Sequence, residues 1–198
     1  MSGKRLSREE SQQQTRRQLL QVAEELFANK GFHQTSVDQI AKKAGYSKGA
    51  VYSNFGSKDD LFLAVFSDNQ KKDIEQLQKL ADVCHSLDDF VRLIEKNHEQ
   101  ERRTHEDWSM LKLEFLLHAL RNEDVRPKLA EIMKESRTKI ANILANFYYS
   151  ESDEILSIEK ITFLLLALDI GIGVQSYIDE KSIPNNIYAE GLQAFLRN

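Results

Sequence analysis

A single cysteine, Cys84, stands in a chain of 198 residues. It has no partner for an intramolecular disulfide, and no thiolate metal cluster can form within the chain. Its expected role is that of a small core side chain. Histidine is nearly as scarce. His33, His85, His98, His105 and His118 include no pair at the i, i+4 spacing that sets two imidazoles on one helix face beside a glutamate. No metal site and no cofactor is called for. A glycine-rich phosphate loop and a nucleophile–base constellation are also missing, which disfavours a small all-α enzyme.

Proline occurs only at 127 and 184, and no run of four or more residues alternates like a half-buried strand. The opening segment MSGKRLSREESQQQ is polar and basic without an apolar centre. It is not expected to be a secretory signal, and the chain is expected to be cytoplasmic. The most apolar stretch, Ile161 to Ile178, carries Asp169 near its middle and Gln175 near its end. That pattern predicts a buried helix and no membrane association.

What the chain does have is helical periodicity almost everywhere. With 41% apolar and 29% charged residues it has the composition of a globular protein. Leu19, Ala23, Leu26 and Phe27 form one stripe that stops at Lys30-Gly31, a cation and then a glycine. Ser36 with Gln39, Ser57 with Asp60, Ser86 with Asp89 and Thr104 with Asp107 resemble capping boxes. Asp124 before Val125-Arg126-Pro127 marks another start, and Pro184-Asn185-Asn186 opens a last short helix. The expected fold is all-α with about nine helices.

The stretch TSVDQIAKKAGYSKGAVYSNFGSKDDLF, Thr35 to Phe62, carries the functional signal. Val37 to Ala44 and Lys48 to Phe55 read as two short helices joined by Gly45-Tyr46-Ser47. Ile40, Ala41, Ala44, Val51 and Phe55 would lock them together, Ala41 small where the helices cross. Gly45 would supply the left-handed backbone of the turn. Ser47 would cap the second helix. This is the arithmetic of a helix-turn-helix, whose second helix enters the major groove. From Lys30 to Lys58 the bases Lys30, Lys42, Lys43, Lys48 and Lys58 face the single acid Asp38. Lys48, Tyr52, Ser53 and Asn54 would form the exposed face of the second helix.

The segment from Gly31 to Phe62 resembles the TetR family of bacterial transcriptional regulators. An "S-x-G-x-x-Y-x-x-F" recognition helix is followed by a "K-[DE]-x-L" helix start, present as Ser47, Gly49, Tyr52, Phe55, Lys58, Asp59 and Leu61. The resemblance implies phosphate contacts at Thr35, Ser36 and Lys58. It implies base and backbone contacts along Ser47, Lys48, Gly49, Ala50, Tyr52 and Asn54. At Ser53 and Asn54, where many relatives carry Tyr or Trp followed by His, the chain departs from the pattern. The implied protein is a dimeric repressor, released from a palindromic operator on double-stranded DNA by a small apolar or amphipathic effector. A helical interaction module with a silent DNA-reading surface is the alternative.

The functional division implied is a DNA-binding domain over 1–57, with 1–14 a disordered arm, and an effector-binding and dimerisation domain over 58–198. Within the latter, Phe163, Ala167, Gly171, Gly173, Leu192 and Phe195 are the expected homodimer interface; one larger monomeric core is the alternative. Trp108, Phe115, His118, Phe147, Asp169 and Tyr177 are the candidate pocket, with Glu114 or Gln175 as further polar groups. Asp169 needs a partner: a cationic ligand, an interfacial hydrogen bond or water. Charge divides the same way. Residues 1–66 carry net +3 and residues 67–198 net −7, so the overall −4 conceals a basic end.

Overall fold

A computed structural model describes residues 7–104, 106–148, 156–184 and 186–197. Among these residues the chain is helical without strands: α1 (Arg8–Lys30), α2 (Val37–Ala44), α3 (Lys48–Phe55), α4 (Lys58–Asp82), α5 (Leu87–Thr104), α6 (Glu106–Arg121), α7 (Arg126–Leu144), α8 (Ile158–Ile178), a 3-10 turn (Glu180–Ser182) and α9 (Ile187–Leu196). The all-α expectation holds. Residues 8–14, expected in a disordered arm, instead form the first turns of α1. Ser7 accepts from the Glu10 amide while the Glu10 carboxylate accepts from the Ser7 amide, so two otherwise orphaned donors are satisfied. Residues 1–6 of that arm lie outside the described residues.

The chain packs as two compact units, 1–69 with 110–129, and 70–109 with 130–198. This cut follows packing and differs from the functional division at 57/58. In the first unit Phe27, Phe62 and Phe115 are fully buried. Phe62 stacks on Phe115 at 4.0 Å between centroids, and Phe32 meets Phe27, Phe62 and Phe115 at 5.2–5.8 Å. Offset and edge contacts of this kind add to simple apolar burial.

In the second unit Phe90 stacks on Phe147 at 4.3 Å, amid Val91, Ile94, Ile143, Leu144, Ile161, Leu165, Leu192 and Leu196. A Cβ on Gly191 would come within 2.5 Å of the Leu168 side chain. Glycine there lets α9 lie close against α8. Asp88 at the start of α5 accepts from Gln193 and Arg197 at the end of α9.

Helix α8 is long and apolar enough to cross a membrane, with a mean hydropathy of 1.7, yet only 22% of that window is buried in the chain alone. Within the single chain the helix is buried along one face only. One face of α8 packs inward through Ile161, Leu165 and Ile172. The opposite face leaves Phe163, Leu164, Ile170, Val174 and Ile178 exposed.

Candidate nucleic-acid interface

Helices α2 and α3 meet through the side chains that periodicity selected. Ile40, Ala41, Ala44, Val51 and Phe55 are all buried. Gly45 holds φ +76° and ψ 23°, the left-handed region that closes the turn, and its amide donates to the Ala41 and Lys42 carbonyls. Ser36 and Gln39 form a complete capping box at the start of α2, and Ser47 Oγ accepts from the Ala50 amide at 3.2 Å.

The outer face of α3 is polar and open. Ser47, Lys48, Gly49, Tyr52 and Ser53 are exposed, while Ala50 and Asn54 are half-buried. Lys48 Nζ donates to Asp38 Oδ2 at 2.9 Å, and this hydrogen bond, with the charge of Asp38, raises the Lys48 pKa. Ser53 Oγ and Asn54 Nδ2 both donate to the Ala50 carbonyl, at 3.0 and 2.8 Å. Both therefore bond back into their own helix in the free chain. Gly49 is informative in another way. A Cβ there would meet only Ser47 Oγ at an ordinary 3.7 Å, and the residue needs no positive φ. Glycine costs a helix about 1 kcal/mol relative to alanine, and nothing inside the fold requires it.

The expected contacts at Thr35 and Lys58 change. Thr35 is buried and its hydroxyl donates to the Leu26 and Gly31 carbonyls at 3.1 and 2.8 Å. Its side chain anchors the α1–α2 loop and cannot also reach a phosphate. Lys58 turns inward, its ammonium 4.3 Å above the centre of the Phe32 ring. Burial there pushes its pKa down, against the opposing pull of the Asp59 and Glu114 carboxylates. Ser36 remains exposed.

Two side chains that sequence spacing gave no means of finding complete the surface. Arg16 donates to the Asn54 carbonyl at 2.7 Å and lies 4.2 Å over the Phe55 ring, tying α1 to the end of α3. Tyr46 donates to Gln18 at 2.9 Å. Arg16 and Asn54, with Glu9, Gln12 and Gln13, line an open cleft of about 220 Å³ beside the recognition helix.

The residues of the candidate pocket divide between the two units. Phe115 and His118 belong to the first unit and pack there: Phe115 is fully buried, and His118 meets Asp59 Oδ1 at 2.7 Å and the Phe32 ring at 4.7 Å. Glu114 is bonded to the α1–α2 loop. In the second unit Phe147 is part of the core stack with Phe90, Asp169 is exposed on α8, and Tyr177 is half-buried. Burial of Tyr188 and the negative charge of Asp169 raise the Tyr188 pKa. The side chain of Trp108 lies outside the described residues. The expected interface also contracts. Leu192 is 2% exposed in the chain's own core with Phe195 packed against that core, while Phe163 and Ala167 are exposed. A Cβ on Gly171 or Gly173 would meet nothing within 4 Å.

A capped two-helix motif with an open polar recognition helix defines a DNA-binding transcriptional regulator. The model of the bacterial regulatory proteins of the tetR family matches residues 19–65. That match spans the helix-turn-helix and its flanks. The chain is 27% identical over 190 residues to the HTH-type transcriptional regulator UidR of Escherichia coli K12, covering 93% of this chain and 92% of UidR. Its fold is shared with the transcriptional regulator FadR of Bacillus subtilis in complex with stearoyl-CoA (TM-score 0.67, 20% identity, 91% of this chain and 97% of FadR). It is shared as well with a transcriptional regulator of Saccharomonospora viridis in complex with choline (TM-score 0.69, 17% identity, 94% and 97%).

Proposed function

We propose that the protein is a cytoplasmic homodimeric repressor that binds a palindromic operator and is released by a small apolar or amphipathic effector. The observation that carries the DNA-binding part is Gly49, exposed on the recognition helix with no conformational or packing need for glycine inside the chain. Without a side chain at that position, the helix N-terminus can come against a duplex. Ser36, Ser47, Lys48, Ala50 and Tyr52 are the contacts proposed around it. Ser53 and Asn54 join them by exchanging their bonds to Ala50 for bonds to base edges or phosphates.

The homodimer reading rests on α8. Phe163, Ala167, Ile170, Val174 and Ile178 recur at helical spacing, and Ile178 is 81% exposed. Gly171 lies beside this stripe with open space above it. Asp169 and Gln175 on the same helix suit a second protein surface better than hydrocarbon. A second copy would cover the stripe, and two recognition helices would then address half-sites about 34–36 Å apart. The effector reading is supported by the ligands of the structural neighbours, stearoyl-CoA and choline.

The test is selection of duplex DNA from a random pool by the intact protein. Fluorescence anisotropy across a salt series follows, then titration with acyl-CoA thioesters and quaternary ammonium compounds. A salt-sensitive complex with a two-fold-symmetric site, weakened by one ligand class, is the expected result. No selected sequence, or none with two-fold symmetry, overturns the reading.

A further inference from the structure

The α1–α2 loop presents two consecutive amides to one carboxylate. Phe32 N–H donates to Glu114 Oε2 at 2.9 Å and His33 N–H donates to Glu114 Oε1 at 3.0 Å. Each carboxylate oxygen takes one amide. The fit is close: at Gly31, whose φ is +80°, a Cβ would sit 2.7 Å from Glu114 Oε2. The same loop is anchored from the other side by Thr35, and its last residue, Ser36, caps α2. Where Glu114 holds the loop therefore sets where α2 begins.

Two further polar ties run from the 110–129 segment to the start of α4. His118 meets Asp59 at 2.7 Å, and Lys128 donates to Asp60 at 2.6 Å. In sequence, the helix-turn-helix lies between residues 32–33 and residues 59–60. Both flanks are fixed by the same segment of chain, and that segment contributes no side chain to the outer face of α3.

We propose that Glu114 is a positioning residue for DNA binding, its carboxylate fixing the α1–α2 loop and through it the angle at which α2 and α3 present the recognition surface. This rests on the DNA-binding reading above. Charge alone argues in the opposite direction. Removing a carboxylate near a polyanion strengthens binding, whereas loosening the loop weakens it.

Glu114→Gln keeps the size of the side chain but replaces one acceptor by an NH2 group, which faces an N–H donor and cannot bond it. The expected result is roughly tenfold weaker binding to the operator selected by the wild-type protein, about 1.4 kcal/mol. The slope of log affinity against log salt should stay unchanged, because no phosphate contact is lost. Discrimination between the selected operator and versions with one base pair added or removed between half-sites should narrow. The Phe32 and His33 amides, slow to exchange in the wild-type protein, should exchange faster in the variant.

Unchanged or tighter binding by the variant overturns the proposal. So does a loss equal on all spacings and matched by the loss of folded protein in urea titration, since a structural role alone gives that pattern. Fast exchange of both amides in the wild-type protein also overturns it, with no DNA in the experiment. Failure of the wild-type protein to select any DNA removes the regulator reading and this role with it, and is recognisable because it appears before any substitution is made.

Discussion

In the unit that carries the recognition helix, Phe27, Phe62 and Phe115 are fully buried, and the polar ends of α2, α3 and α4 are capped within the chain. In the other unit α8 leaves Phe163 at 57% and Ile178 at 81% exposure on one continuous stripe. Apolar area of that kind is what a monomeric surface avoids and an association surface needs. The first unit closes around its aromatic core and presents a polar recognition helix, with Met110, Leu117 and Leu120 of α6 as its exposed apolar side chains. The second is packed on one side of α8 and left uncovered on the other.

The largest effect should come from making the uncovered face repel itself. Ile170→Lys sets a charge in the middle of the stripe, at a position exposed in the single chain. The chain's own stability should change by no more than about 0.5 kcal/mol. Sedimentation should show a shift from dimer to monomer. Operator affinity should fall on the order of 10²- to 10⁴-fold, because the second recognition helix is no longer delivered at high effective concentration. A variant that stays dimeric would move the interface elsewhere and remove the contrast between the units.

The opposite test is a truncation in the closed core. Phe62→Ala removes a fully buried ring that stacks on Phe115 and should cost about 3–5 kcal/mol in urea unfolding. Phe163→Ala on the exposed stripe should cost little in a monomeric background. If the two changes cost the same there, the stripe is covered within the chain and the comparison fails.

Much of the first unit was legible in the sequence because its determinants are local. Gly45, Ser47, Ala41 and the Ser36–Gln39 box act within a few residues of themselves, and each occupies its expected place. Phe115 and Glu114 share one reason for escaping a sequence reading: their roles depend on partners far along the chain. Glu114 bonds amides more than 80 residues away, and nothing in its own helix signals that. Arg16 reaches the Asn54 carbonyl across 38 residues and was missed likewise. On α8 the stripe could be read, but periodicity could not tell the face that α9 covers from the face left open.

Lys48 tests the electrostatic half of the comparison, with a smaller effect. Its ammonium is exposed at the start of the recognition helix and bonded to Asp38 in the free chain. Lys48→Ala should weaken binding to all duplexes by a similar factor and reduce the salt slope by about 0.9 per half-site, as loss of one phosphate contact does. Anisotropy across a salt series reads both. A loss confined to one base position would make Lys48 a base-reading residue instead.

The smallest effect concerns how the first unit closes on itself through Asp60. Its carboxylate accepts from Lys128 Nζ and Ser57 Oγ, both at 2.6 Å, and these bonds hold its pKa below the ordinary 3.8. The partner shift runs the other way, since the Asp60 bond and charge raise the Lys128 pKa above 10.5. A lowered carboxylate pKa contributes stability that is present above 3.8 and is lost as pH falls through the folded value. A raised lysine pKa contributes stability that is present below 10.5 and is lost as pH rises past it. The pair therefore stabilises the unit across the whole range between and fades at both ends. Both groups are partly exposed, so solvent screens the attraction. Lys128→Ala should lower the melting temperature at pH 7 by about 1–2 °C. The difference from the wild-type protein should shrink toward zero by pH 2–3. A gap that persists in acid would mean that the lysine stem, not its charge, stabilises the contact.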